Sequence, residues 1–244
     1  GHPFLGDGPA FGTARGVAIA NGYQPLIDQL NLPIVEFQGK RYETVSQAFN
    51  HLLLSKEAME ADVVINLPKV KSHAQLTLTM GVKNLFGCVP GKMKAWWHME
   101  AGKDRNRFGL MLVETARAIN PDLTILDGIF GHEGNGPSGG EPRRLNLLAA
   151  ATDVFALDWT VAAILAVDPA TVPTLVAAQQ LGLSGSLDTI HFPLLLPSDL
   201  QISDWRLPDQ LMPIDFGLPR VVRSTFKHLY IRFIQEPMKV YVAR

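Results

Sequence analysis

Short continuous apolar runs alternate along the chain with segments of helical spacing. "DVVINLP" (62–68) is one such run, bounded by Asp and Pro, and "LTILDGI" (123–129) is a second. Runs of this kind predict strands buried in a parallel sheet. "PIVEF", "LNLLAAA" (145–151) and "DTIHF" read as further strands. A Gly-rich turn after "PFLGDG" leads into a helix from about Thr13 to Asn21, with Thr13 as N-cap. "SKEAMEA" (55–61) predicts one or two helical turns capped by Ser55. Residues 75–86 read as a helix start, broken near Gly87 and Pro90-Gly91. "RFGLMLVETARAIN" (107–120) places Leu110, Val113, Ala116 and Ile119 on one helical stripe. "GHEGNGPSGGEPRR" (131–144) is a long Gly/Pro loop, Asp153 caps "VFALDWTVAAILAV", and "PATVPTLVAAQQLG" is a further helix.

Alternating strands and helices with short connections predict an α/β fold, a mostly parallel sheet flanked by helices. Residues 1–192 are expected to form this core. It is read as N-terminally truncated, because the chain opens Gly1-His2-Pro3 without a Met. Residues 193–244 are expected to be an irregular, Pro-rich extension packing on the core. The last 25 residues hold Arg220, Arg223, Lys227, Arg232, Lys239 and Arg244 against Glu236 alone, which suits a docking or covering tail.

Composition narrows the function classes. With 244 residues, 47% hydrophobic and 18% charged, the chain can bury a sizeable core without staples. A net charge of −1 gives no global drive toward nucleic acid or anionic membranes. The single cysteine, Cys88, excludes a disulfide framework and an iron–sulfur site within the chain, and a reducing, cytoplasmic setting fits it. No apolar run reaches the roughly 18–20 residues needed to span a bilayer, and no signal peptide is visible.

One stretch departs from this ordinary background. From Pro68 through Arg105 there are seven Lys or Arg residues against Glu100 and Asp104. Lys69, Lys71 and His73 alternate directly after an apolar run, so an extended backbone points all three to one side. Three such groups make an anion site, although an arbitrary Lys-x-Lys more often faces water. Lys83-Asn84 lies inside the apolar "TLTMGVKNLFGCV", where a lysine must snorkel, pair or meet a ligand. Asn84 can donate and accept, and so orient a substrate. His98 follows Trp96-Trp97, which either stack on a planar ligand or pack. Cys88 reads as a buried small residue without a His-Asp partner.

A second constellation follows a predicted strand end. Asp127, His132 and Glu133 precede "GNGPSGG", a set able to bind a metal or act as acid and base. The glycines allow close backbone approach to an anion, or simply form a flexible loop. Asp158 sits in an apolar helix and is a candidate partner for a lysine of the basic stretch. "GDGPAFG" (6–12) is a weak phosphate signal that lacks dinucleotide or P-loop spacing.

The ordered motifs "INLPKVKSH", "GVKNLFGCVPG", "LDGIFGHEGNGPSGG" and "AATDVFALDWTVAAIL" resemble the domain-of-unknown-function family numbered 362. Ser72 stands where that family usually has Thr. Its members are often described as iron–sulfur cluster-binding proteins, because many carry a ferredoxin-like Cys-rich module. This chain has no such cysteines. A more distant resemblance is to the nickel-pincer lactate racemase family, in the spacing of His73, Lys83, Pro90-Gly91 and His98. In that family the lysine anchors a nickel cofactor and the histidines ligate metal or move protons. The Gly-Gly that precedes its lysine is absent here.

Three functional expectations follow. In the first, Lys69, Lys71 and Lys83 bind a small anion (phosphate, nucleotide or carboxylate). His73 and His98 are then acid/base groups or metal ligands, Lys83 and the histidines are catalytic, and Asn84, Asp127 and Glu133 complete the substrate site. In the second, the chain is a non-enzymatic partner of a ferredoxin-like iron–sulfur module. In the third, it is an isomerase dependent on nickel or another cofactor. The sequence leaves the cofactor, the metal and even enzymatic activity open.

Overall fold

The computed structural model describes residues 1–9, 12–43, 49, 51–91, 93–101, 104–137, 139–183, 185–214 and 230. The cationic tail from Arg220 to Arg244 lies outside the described residues. In chain order the elements are β1 Leu5–Asp7, α1 Ala14–Ala20, α2 Gln24–Leu30, β2 Ile34–Glu36, β3 Gly39–Glu43, β4 His51–Ser55, α3 Lys56–Met59, β5 Ile65–Asn66, β6 Lys69–His73 and β7 Thr77–Thr79. There follow α4 Gly81–Asn84, a 3-10 turn Leu85–Cys88, α5 Met93–Glu100, α6 Arg105–Ile119, β8 Leu123–Glu133, β9 Glu141–Ala151, α7 Val154–Ile164 and α8 Pro173–Gln180.

The architecture is α/β. In the five-stranded sheet β5, β6 and β8 run parallel, and antiparallel β7 and β9 border them on β6 and β8. β5 and β6 are two pieces of one broken strand that pair with the same neighbour, β8. A parallel pair β1–β2 and an antiparallel hairpin β3–β4 stand outside this sheet.

The predicted caps form as read. Thr13 accepts from the Gly16 amide, Ser55 from the Ala58 amide, and Asp153 from the Phe155 and Ala156 amides. Each satisfies donors that the first helical turn leaves unpaired.

Several segments depart from the sequence expectation. Within 75–86, Thr77–Thr79 is a strand, β7, because it pairs with β6 through a three-residue turn. "DVVINLP" contributes only a two-residue strand, and Val63, Ile65 and Leu67 are exposed while Asn66 is buried. This sheet is covered on one face here, so the run alternates in burial rather than disappearing inside. The Gly/Pro loop shrinks to 134–140, since β8 and β9 extend into it from both sides. "DTIHF" is not a strand. Leu187–Thr189 is a 3-10 turn capped by Ser186.

The core lies in two clusters. On one sheet face, Val70, Leu78 and Leu126 pack with Leu157 and Val161 of α7 and with Leu175 of α8. The other cluster joins Leu52 and Leu54 of β4, Val82 and Phe86, Trp97 of α5, and Phe108, Met111 and Leu112 of α6. Gly109 lets α6 approach α8 closely, because a Cβ there would lie 2.5 Å from the Pro173 carbonyl oxygen.

Candidate functional site

The predicted alternation on β6 holds. Val70 and Ser72 are wholly buried, whereas Lys69 and Lys71 are half-buried on the opposite face. Residues paired across a ladder share a face. Lys69 pairs with Asp127 and Lys71 with His132, so both β8 residues join this polar side.

Between those pairs β8 has four residues where β6 has one, and it bulges at Gly128–Phe130. The Lys69 ammonium fills the bulge. It donates to Asp127 Oδ2 at 2.6 Å and to the Phe130 carbonyl at 2.9 Å. Asp127 Oδ1 accepts the Ile129 amide at 2.9 Å. Lys69 and these two bonds hold the Asp127 carboxyl below its usual range, against the opposing effect of burial. Lys69 and Asp127 therefore neutralise one another and shape the strand.

The ammonium groups of Lys71 and Lys83 make no ion pair or hydrogen bond among the described residues. Lys83 lies on α4, a single turn fixed by buried polar groups. Asp158 accepts the amides of Gly81 and Val82 at 2.6 and 3.0 Å. The expected lysine partner of Asp158 is thus replaced by two backbone donors at the helix start. Asn66 Nδ2 donates to the Gly81 carbonyl at 3.0 Å, and Asn84 Nδ2 donates to Asn66 Oδ1 at 2.8 Å. Asn84 is itself exposed, with its carboxamide oriented by that bond.

Phe86 is the hub of the cationic groups. The Lys83 ammonium stands 4.8 Å from its ring centroid and that of Lys94 stands 5.6 Å away. The His98 ring lies 6.2 Å from Phe86 edge-on and stacks on Phe108 at 4.4 Å. Burial lowers Lys83 to about 8, helped by the charges of Lys94 and Lys71 and opposed by Asp7. Lys71 is lowered by burial and then by Lys69.

His73 is buried, and its Nδ1 accepts the Gln75 amide at 3.0 Å. Its proton is therefore on Nε2, which remains a donor. Burial, then the charges of Lys83 and His98, push His73 down to about 3. Gln75 also donates through its carboxamide to the Pro213 carbonyl at 2.6 Å, with the Ile214 carbonyl 3.4 Å away.

Two contributors, Asp7 and Lys94, were missed by sequence reasoning. The Gly8 amide donates to the Gly87 carbonyl at 2.9 Å, and Lys94 donates to the Gly8 carbonyl. A Cβ on Gly8 would lie 2.6 Å from the Gly87 oxygen, and one on Gly87 would lie 2.8 Å from Asp7 Oδ1. Glycine at both positions lets the turn after β1 lie against the 3-10 turn, which brings Asp7 beside Lys83 and Lys94. The glycines of "GDGPAFG" were the available signal, read in sequence as a weak phosphate loop.

The remaining candidates lie elsewhere or pack. Glu133 is buried and saturated by Arg143 at 3.0 Å and by Arg206 at 2.8 Å. It straps β8 to β9 and to the 204–206 segment, with both oxygens engaged. Gly136 meets β6 rather than an open cradle, since a Cβ there would lie 1.9 Å from the Ser72 carbonyl oxygen. Trp97 is buried edge-on against Phe49 at 5.6 Å, and Trp96 is exposed. Burial pushes the Cys88 thiol up to about 12, so it stays protonated. No cluster of three or more His, Cys, Asp or Glu suited to a metal occurs among the described residues.

An α/β sheet with its cationic groups gathered at β6, α4 and α5 is the common setting of these motifs, and the chain belongs to the DUF362 family (Domain of unknown function), whose model matches residues 1–163. Over all 244 residues it is 68% identical to the thylakoid-associated protein sll1697 of Synechocystis sp. (strain ATCC 27184 / PCC 6803 / Kazusa), of which it covers 76%. No solved structure matches the chain.

Proposed function

We propose that the chain binds a small anion at Lys71 and Lys83, with Lys94, His73 and His98 around it. One observation carries this reading. Lys71 and Lys83 are half-buried, close enough to feel each other's charge, and neither makes an ion pair among the described residues. Holding like charges together in a partly dry site is costly, and a bound anion offsets that cost. Lys69 is different, since Asp127 already answers it. His73 stays neutral above pH 5 and offers Nε2–H as a donor to the same ligand.

The test is thermal denaturation with phosphate, nucleotides and small carboxylates. A ligand at a hundred times its Kd adds about 2.7 kcal/mol. For a chain of this size that corresponds to a rise of roughly 5–10 °C in Tm. Lys71→Gln and Lys83→Met are expected to abolish the rise. Wild-type shifts in both variants, or no shift with any anion, would overturn the reading.

A second, compatible reading is attachment to a membrane surface. The thylakoid-associated relative suggests it, and one surface feature favours it. Leu194, Leu195 and Leu196 are 91%, 57% and 53% exposed between Pro193 and Pro197. No helix among the described residues is long and apolar enough to cross a membrane. The sequence neighbours Asp188 and Asp199 are acidic, so insertion of the leucines rather than charge would supply the attraction. Flotation with uncharged lipid vesicles should recover the protein irrespective of salt. Leu194→Asp with Leu195→Asp should leave it unbound, and equal flotation of this variant would sink the reading.

A further inference from the structure

We infer that Lys83 is a nucleophile whose amine forms an imine with a small aldehyde or keto acid, the anionic group of that ligand resting between Lys71 and Lys94. This rests on the anion-binding reading above and names the ligand class it implies.

The geometry is that of a held amine among cations. A lysine kept for its charge is ordinarily exposed or paired with a carboxylate, as Lys69 is with Asp127. Lys83 is neither. It projects from a four-residue helix anchored by Asp158 and by Asn66. Its ammonium shares the Phe86 ring with Lys94, which is bonded to the Gly8 carbonyl. Few purely structural lysines need so much buried polar support. Like charges beside an amine and a partly apolar setting favour its neutral, nucleophilic form. The groups acting on it are Lys94 and Lys71, which lower its pKa, and Asp7, which raises it, while burial makes the largest contribution. Cys88 stays protonated and is no competing nucleophile.

The step balances without a redox partner. The Lys83 lone pair adds to the carbonyl carbon, and the carbonyl π pair moves to oxygen. One amine proton transfers to that oxygen to give a carbinolamine. The C–O bond then breaks, the second amine proton leaves with the hydroxyl, and the products are an imine and water. The charges of Lys71 and Lys94 pair with the ligand's carboxylate or phosphate throughout. The His73 Nε2–H is a donor available to the developing hydroxyl.

The test uses the full chain with pyruvate and, separately, pyridoxal 5′-phosphate. Each incubation at pH 7.5 is followed by borohydride, which converts an imine into a stable secondary amine, and by peptide mass mapping. At that pH an amine of pKa about 8 is about a quarter neutral, against roughly one part in a thousand for an ordinary lysine. Label on Lys83 should therefore exceed that on the exposed lysines by about tenfold or more. In Lys83→Arg the label should vanish. The wild-type labelling rate should reach half its maximum near pH 8, a readout that does not depend on the variant folding. Label spread evenly over surface lysines, or a half-maximum above pH 10, would overturn the inference. Phosphate stabilisation with no adduct on Lys83 would remove the imine and leave the anion site standing. Selective label without phosphate stabilisation would do the reverse.

Discussion

The Asp158 carboxylate accepts the Gly81 amide at 2.6 Å, across 77 residues of sequence, and so fixes the turn that carries Lys83. A buried carboxylate serves here as the cap of a one-turn helix. Asp158→Ala would leave the Gly81 and Val82 amides buried without an acceptor. The expected loss is about 3 kcal/mol in urea denaturation, and the anion-induced rise in Tm should go with it. Asp158→Asn keeps one acceptor oxygen and should lose about half as much.

Asp158 and His73 should tilt the pH dependence of stability in opposite directions. Burial raises Asp158 to about 7, so folding takes up a proton between about pH 4 and pH 7. Its contribution is complete below about pH 4 and is lost as pH rises through 7. His73 is lowered to about 3, so its contribution is complete above about pH 6.5 and is lost as pH falls toward 3. Asp158→Asn should therefore leave stability rising with pH from 5 to 6.5, and His73→Asn should leave it falling. The two slopes should differ by about 2–2.5 kcal/mol per pH unit, measured from urea midpoints. Parallel slopes would contradict both assignments.

Gly109 offers a test in which local preference and packing disagree. Alanine favours a helix over glycine by about 1 kcal/mol. Yet a Cβ at this position would meet the Pro173 oxygen at 2.5 Å, where backbone cannot easily give way. Gly109→Ala is expected to destabilise by about 1–3 kcal/mol, with the α6–α8 contact opened. A stabilised variant would mean that the two helices slide freely.

Glu133 should matter for stability more than its sequence position suggests. Arg143 and Arg206 both reach it, and each also bonds a second acid, Asp204 or Glu141. Glu133→Ala is expected to cost about 2–3 kcal/mol, discounted from a fully buried pair because Arg206 is largely exposed. Limited proteolysis should then cut the chain between residues 204 and 214 sooner than in wild type.

The sequence displayed the parts of this fold that local chemistry decides. Thr13, Ser55 and Asp153 cap helices because their side chains reach amides two or three residues on. Lys69, Lys71 and His73 alternate because a strand has period two. What stayed hidden was made by distant contacts. Lys94 meets Gly8 across 86 residues, and the glycines that allow it resemble any loop glycine in sequence. Thr77–Thr79 reads as helix start because a three-residue strand carries too little periodicity, and Thr77 takes a φ of 65° that no propensity favours. Asp127 and Glu133 looked alike as carboxylates near a strand end. Only the bulge of β8 shows that Lys69 holds the first, and only the arginines of β9 and position 206 show what holds the second.

Gln75 ties two distant events to one peptide unit. Its amide orients the His73 ring, and its carboxamide grips the chain at Pro213 and Ile214. The histidine is thus a built-in reporter of the far anchor. A change that frees Ile214 should alter the ring's tautomer balance, visible in its nitrogen resonances, without any residue of the cationic band being touched.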